Sequence, residues 1–229
     1  MSDGRLNVMA AVAARLRAGT LPPDGRLDHP GNVSLPSAPL STDELVVQFT
    51  REAEALTVVV HRVNDDEAAV TGVREIVVNR GAARVLAWDE RWLNCPGLGS
   101  ALTAAGIALE SCWLPRDAAE RRERLAQLDG VAIGVTGAVA GLADTGSLAL
   151  VSGPGRARIA SLLPPLHIAI LRVEQLHPTY AAFLAAHPQI ENTGSNLVLV
   201  TGPSRTADIE MTLTRGVHGP GEVHVVLVG

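Results

Sequence analysis

The sequence predicts an α/β protein with a mostly parallel central sheet flanked by helices. Apolar residues make up 47% of the chain but aromatic residues only 3%. The core must therefore be built from Ala, Val, Leu and Ile, which suits short strands and Ala-rich helices. Apolar runs of strand length alternate with helical patterns, the order that generates parallel βαβ units. The run at 197–200 is apolar at four successive positions, which is typical of a central strand covered on both faces.

An N-terminal extension is predicted to precede the main domain. Apolar residues recur at helical spacing within 6–17 and indicate an amphipathic helix. The stretch at 19–42 is rich in proline, which excludes helix and central strand. We therefore expect residues 1–40 to form a helical extension with a linker, and residues 41–229 to form the α/β domain.

Capping signals place the helices of the main domain. Ser41 followed by Glu44 has capping-box spacing and predicts a helix through about residue 55. Asn64 and Glu67 repeat that spacing before a second helix, and Thr179 is predicted to cap a short helix ending near 186. The remaining elements are a charged helix at 116–128 with a Glu120–Arg124 pair, and strands at 57–62, 84–87, 106–112, 131–136, 147–151, 168–173, 196–201 and 223–228.

Composition excludes several classes of chemistry. All 19 positively charged residues are Arg, so Schiff-base and P-loop lysines are absent. Cys95 and Cys112 form no CxxC motif, so we expect buried thiols, no metal site and no cofactor in this chain. A net charge of −5 and few aromatic residues argue against nucleic-acid binding. No apolar run reaches the ~18 residues of a membrane span, and we expect a cytoplasmic protein.

An internal repeat is the most informative feature of the sequence. The pattern L-[AV]-L-V-[ST]-G-P-[GS]-R occurs at 148–156 and again at 197–205. Each copy predicts a strand, a Gly-Pro turn, an arginine and then a helix. Glycine backbone, a helix N-terminus and a guanidinium together suit an anion. We call residues 152–156 the first cradle and residues 201–205 the second cradle, and we expect both at the carboxyl edge of one parallel sheet, holding one ligand.

Two further side chains are candidates for chemistry. Asp144, in a glycine-rich loop, is a candidate acid, base or nucleophile, although an aspartate there also commonly caps its own turn. His218 lies between glycines in a predicted loop and is a candidate for ligand contact or proton transfer, or has a structural role. The predicted ligand-binding residues are Thr136, Gly137, Asp144, Thr145, Gly146, Ser152, Gly153, Gly155, Arg156, Thr201, Gly202, Ser204, Arg205, Thr206 and Asp208.

These motifs together resemble the LUD-domain family, and within it the lactate utilization protein C group. The resemblance covers about residues 45–228 and is most specific in three blocks: IGVTG with ADTGS at 133–147, SGPGR with LPPLH at 152–167, and TGPSRTADIE with GVHGP at 201–220. Asp144 stands where the family often has Glu. The resemblance implies the fold of the glucosamine-phosphate isomerase, ribose-phosphate isomerase and CoA-transferase group. It also implies a role in oxidising L-lactate to pyruvate, beside partner subunits that carry iron–sulfur clusters.

Three functions therefore stay open at the level of sequence. The first is a lactate-utilization subunit that binds a small anion, with Asp144 and His218 lining the pocket. The second is a free-standing enzyme of the phosphosugar-isomerase or acyl/CoA-transferase type that uses Asp144, and the third is a non-catalytic scaffold. A homo-oligomer is compatible with each of them, and a fold alone does not decide a reaction.

Overall fold

A six-stranded sheet in which all neighbouring strands are parallel forms the centre of the domain. The order of its strands is β1 (Val59–Val63), β12 (Glu222–Val228), β7 (Leu166–Arg172), β4 (Ile133–Gly137), β2 (Arg84–Ala87) and β3 (Ala108–Ser111). The computed structural model describes residues 40–207, 213–216 and 218–229. Strands β4, β7 and β12 are almost wholly buried, as strands between layers of helix must be. The predicted α/β class with a mostly parallel central sheet is confirmed.

The elements follow the alternation predicted from the apolar runs. In chain order they are α1 (Thr42–Ala55), β1 (Val59–Val63), α2 (Asp66–Asn79), β2 (Arg84–Ala87), α3 (Leu98–Ala104), β3 (Ala108–Ser111), α4 (Ala118–Leu128), β4 (Ile133–Gly137), β5 (Ala140–Leu142), β6 (Ser147–Ser152), β7 (Leu166–Arg172), β8 (Leu176–His177), α5 (Tyr180–Ala186), β9 (Asn196–Val200), β10 (Arg205–Ala207), β11 (Leu213–Arg215) and β12 (Glu222–Val228). Short 3₁₀ turns at Glu90–Trp92, Arg158–Ser161, Val173–Gln175 and Ile190–Asn192 connect several of them.

Local capping contacts explain where the helices begin. At α1 the predicted capping box is present, because the Glu44 amide donates to Ser41 Oγ and the Ser41 amide donates to the Glu44 carboxylate. At α2 the predicted cap is wrong by one residue. Asp65, not Asn64, accepts from the Ala68 amide at 2.8 Å, which leaves two acidic residues in the first turn, where the helix dipole favours them.

Two other predicted local features can be compared with the structure. Thr179 caps α5 as predicted, with its hydroxyl accepting from the Ala182 amide. The Glu120–Arg124 pair on α4 is not formed. Arg124 instead donates to Glu110 at 3.2 Å and to the Ser111 carbonyl at 2.8 Å, and these contacts hold the helix against β3.

A second, four-stranded sheet holds both copies of the repeat, in the order β8-β5-β6-β9. Strand β6 is buried throughout, but β9 is an edge strand whose side chains are exposed or half-buried. The prediction that 197–200 forms a central strand is therefore wrong, because among the described strands β9 pairs only with β6. A 3₁₀ turn, not the predicted helix, follows the first copy, and β10 follows the second copy as far as residue 207. Residues 208–212, where the second predicted helix would continue, lie outside the described residues.

Two predictions made from composition can also be compared with the structure. Cys95 and Cys112 are both free and each is 1% exposed, which confirms that they are buried thiols. None of the described helices is long and apolar enough to cross a bilayer. The predicted N-terminal helix and most of its proline-rich linker, residues 1–39, lie outside the described residues.

Candidate functional site

The two cradles lie at opposite edges of the parallel sheet. In the first cradle the Gly155 carbonyl accepts from the Asp89 amide at 2.8 Å, just beyond the carboxyl end of β2. In the second, Arg205 donates to the Leu56 carbonyl and to Thr57 Oγ1, just before the amino end of β1. The prediction that both cradles lie at the carboxyl edge of one parallel sheet is wrong. The two cradles lie apart because β6 and β9 pair antiparallel, so the carboxyl ends of these two strands point in opposite directions.

The Asp144 loop lies with the second cradle, not with the first. Thr145 Oγ1 donates to Ser147 Oγ, and Ser147 Oγ is in turn 2.8 Å from Thr201 Oγ1. Gly146 has φ +62°, and a Cβ there would stand 2.3 Å from the Ala53 amide nitrogen. Asp144 itself is exposed in the β5–β6 turn, so its chemical role stays a prediction.

The remaining candidates on this side are placed by the loop before β12. His218 is exposed there, and the neighbouring Pro220 carbonyl accepts from the Ser204 amide at 2.8 Å. Gly202 packs against Leu56. The backbone of Thr206 belongs to β10, whereas Asp208 lies outside the described residues. The structure thus brings the second cradle close to the loop of His218, at the amino edge of the large sheet.

The carboxyl edge carries a pocket of about 490 Å³, which we call the Arg156 pocket. Trp88, directly after β2, and Gly137, the last residue of β4, form part of its wall. Arg156 of the first cradle, which follows β6 of the four-stranded sheet, also lines this pocket. Ligands of open parallel sheets bind outside the carboxyl ends of the strands, so this is the candidate functional site.

Arg156 and Trp92 form the charged wall of the pocket. Arg156 is only 5% exposed, and its guanidinium lies 3.9 Å from the centre of the Trp92 ring. Its Nη2 donates to the Thr193 carbonyl. Arg91 lies 5.6 Å from the same ring. Burial, together with the charge of Arg91, lowers the pKa of Arg156. Arg91 itself is exposed and forms an ion pair with Asp89 at 3.6 Å, so Arg156 is the buried cation of this wall.

Two buried donors in this wall have no acceptor among the described residues. They are Arg156 Nε and Trp92 Nε1. A buried donor without an acceptor costs free energy, about 1–3 kcal/mol. None of the described residues that line the pocket is acidic. An anion in the pocket would supply the opposite charge to Arg156, and acceptors for these enclosed nitrogens if the wall shifts to admit it.

The floor of the pocket is held rigid. Asn94 has φ +58°, and its Nδ2 donates to the Ala138 carbonyl at 2.7 Å, the Ile170 carbonyl at 3.2 Å and Gln175 Oε1 at 3.1 Å. A Cβ at Gly137 would stand 2.0 Å from the Trp92 carbonyl oxygen. Gly137 therefore lets the backbone before Asn94 pack directly on the end of β4.

Three of the other predicted ligand residues have structural contacts. Thr136 is fully buried, and its hydroxyl is hydrogen-bonded to His167 Nε2 at 2.8 Å inside the core. Ser152 is buried, and its carbonyl accepts from the Ser195 amide. Gly153 exchanges two backbone hydrogen bonds with Arg156, which shapes the turn of the first cradle. Of the predicted set, Gly137 and Arg156 line the pocket.

The pocket residues that were not predicted from the sequence include four with polar or aromatic side chains: Arg91, Trp92, Asn94 and His187. The sequence did contain a signal for the first three of these residues. They follow a buried strand, β2, just as Arg156 follows β6. The carboxyl-edge argument that selected the cradles applies equally to the segment after β2. His187, at the end of α5, carried no comparable signal.

Comparison with known proteins defines the class. The model of the LUD domain matches residues 46–228, and the chain belongs to this family. It is 32% identical over 191 residues to lactate utilization protein C of Shouchella clausii, covering 82% of this chain and 80% of that protein. It is 29% identical over 193 residues to lactate utilization protein C of Deinococcus radiodurans, covering 84% and 83%.

A solved structure shows the same fold. A DUF162 family protein from Deinococcus radiodurans superimposes with a TM-score of 0.61 at 24% identity. The match covers 83% of this chain and all of the other. At this identity the likeness supports the fold of the domain and carries no information on its ligand.

Proposed function

We propose that this chain is a subunit of a lactate-utilization system and binds the carboxylate of L-lactate or pyruvate in the Arg156 pocket. The observation that carries the proposal is the pair of buried donors, Arg156 Nε and Trp92 Nε1, that have no acceptor among the described residues. A carboxylate presents two acceptor oxygens and one negative charge, which matches these donors and the nearby Arg91. The similarity to proteins named lactate utilization protein C supports lactate as the acid.

In this proposal the chain binds and orients the acid while its partners carry the electrons. Oxidation of lactate to pyruvate releases two electrons and two protons. Cys95 and Cys112 are buried and form no CxxC motif, and burial raises the pKa of each thiol. Neither thiol therefore suits the role of an iron–sulfur cluster ligand. We therefore assign electron transfer to iron–sulfur clusters on partner subunits.

Binding measurements on the full chain test the pocket. Arg91→Ala removes one charge, and Arg156→Lys keeps a charge but loses the planar fork. Loss of a charge-assisted contact is worth about 1.5–3 kcal/mol, so calorimetry with L-lactate and pyruvate should show affinities roughly tenfold to more than a hundredfold weaker. Arg205→Ala, at the opposite edge, is the matched control and should bind as the wild type does. Equal affinities in all four proteins would contradict the pocket assignment.

A reconstitution experiment tests the subunit role. The purified chain alone should not oxidise lactate, whereas lactate-dependent reduction of an electron acceptor should appear when iron–sulfur partners are added. Asp144→Asn should leave this activity unchanged, because Asp144 lies beyond the far end of β5, a strand roughly 10 Å long. Turnover by the chain alone that Asp144→Asn abolishes would favour a free-standing enzyme instead.

A further inference from the structure

The Arg156 pocket is larger than a three-carbon acid requires. Lactate has six non-hydrogen atoms, which at no more than ~30 Å³ each fill less than about 180 Å³. The pocket encloses about 490 Å³, a volume within the range of sites for much larger ligands. Lactate bound at Arg156 and Trp92 would therefore leave most of the pocket to water.

A second cavity of about 740 Å³ adjoins this pocket, and we call it the apolar cleft. Its wall combines the aliphatic side chains of Leu114, Pro154, Ala157 and Ile159 with the polar side chains of Ser152, Arg158, Asn192, Thr193 and Ser195, and most of its exposed surface is apolar. Among the described residues that line it there is no aromatic ring and no acidic group. The cleft therefore suits a flexible aliphatic chain better than a flat ring or a cation.

The two cavities meet at Thr193, which lines both. The Thr193 carbonyl accepts from Arg156 Nη2, so this contact lies where the Arg156 pocket and the apolar cleft meet. Thr193 is exposed. A chain that starts at Arg156 can thus pass over Thr193 into the cleft without entering the core.

We propose that this site accepts 2-hydroxy acids whose aliphatic chains are longer than that of lactate. The carboxylate lies at Arg156 and Trp92, and the chain lies across Thr193 in the apolar cleft. The inference rests on the proposed function, because it uses the same carboxylate position. It adds to it a substrate class, defined by the length of the chain.

A chain-length series measures the effect of the cleft directly. The probes are lactate, 2-hydroxybutanoate, 2-hydroxyhexanoate and 2-hydroxyoctanoate, titrated into the full chain by calorimetry. Each methylene that leaves water should raise the affinity about fourfold. Leu114→Trp, which fills the cleft, should abolish this increase and leave lactate binding unchanged. Leu125→Trp is the matched control, because Leu125 is a 38% exposed leucine on α4 that lines neither cavity.

The outcomes separate this inference from the proposed function. Lactate binding that depends on Arg156, with no gain along the series, overturns the inference alone. A gain that persists in Leu114→Trp also overturns it, since the chain would then lie elsewhere. Failure of every acid to bind overturns both proposals. If Leu114→Trp does not fold, Leu114→Ser serves in its place and should weaken binding of the long acids only.

Discussion

His167 makes the stability of the fold depend on pH. The ring lies on β7 with no exposed surface, its Nε2 bonded to Thr136 and its Nδ1 without a partner among the described residues. Burial lowers the pKa of His167 from 6.5 to about 4, because the imidazolium form would be cut off from water. The test is to lower the pH and to compare the stability of the wild type with that of His167→Gln.

The direction and size of the effect follow from the two pKa values. In the unfolded chain His167 takes up its proton near pH 6.5, but in the folded chain only near pH 4. Proton uptake therefore favours the unfolded chain, so stability is complete above pH 6.5 and falls as the pH decreases toward 4. Between pH 7 and pH 5 this one group should lower the free energy of unfolding by about 2 kcal/mol.

Urea unfolding of both proteins at pH 7, 6 and 5 measures this contribution. Glutamine does not titrate and can still hydrogen-bond Thr136. The other titrating groups are common to both proteins and cancel in the difference. The wild type should therefore lose about 2 kcal/mol more than His167→Gln between pH 7 and pH 5. Identical pH slopes would refute the conclusion that the folded state keeps His167 neutral.

Three other predictions concern the frame around the site. Gly137→Ala should destabilise the fold by about 1–3 kcal/mol more than Gly72→Ala in thermal unfolding. At Gly137 a Cβ would stand 2.0 Å from the backbone carbonyl oxygen of Trp92, whereas Gly72 has open space around it. Asn94→Asp should weaken lactate binding in calorimetry, because a carboxylate would face three oxygen acceptors. Ser41→Ala should cost about 1 kcal/mol in urea unfolding through loss of the capping box.

Features that depend on near neighbours in the chain could be predicted from the sequence. The capping box of Ser41 and Glu44 joins residues three apart. Strand β2 has the bounds predicted for it, because its apolar run ends in clear breaks. The one-residue error at α2 shows the limit of this approach: Asn64 and Asp65 are both good caps, and the choice between them depends on the rest of the helix.

The arrangement of the two cradles could not be predicted in the same way. An apolar strand followed by a Gly-Pro turn has the same pattern whichever direction its neighbour runs. The two copies were expected side by side in a parallel sheet, whereas β6 and β9 pair antiparallel with Ser152 opposite Asn196. That pairing depends on contacts between residues more than forty positions apart, which local pattern does not record.

Two residues that line the candidate site were predicted from the sequence. Arg156 was predicted from its cradle, and Gly137 from the glycine-rich loop. The contribution of Trp92 depends on a stacking contact with Arg156, 64 positions away in the sequence. Such a contact forms only when β2 and β6 bring their following loops to one edge, so it required the tertiary structure.

The burial of both cysteines has a practical consequence for labelling. Burial, with the nearby charge of Asp66, raises the pKa of Cys95 to about 11, so at pH 8 only about one thiol in a thousand is a reactive thiolate. Cys112 has its pKa raised by burial as well. A cysteine introduced at an exposed position such as Thr193 would therefore react with maleimide dyes far faster than either. A single fluorophore there could report occupation of the pocket and the cleft in the otherwise native chain.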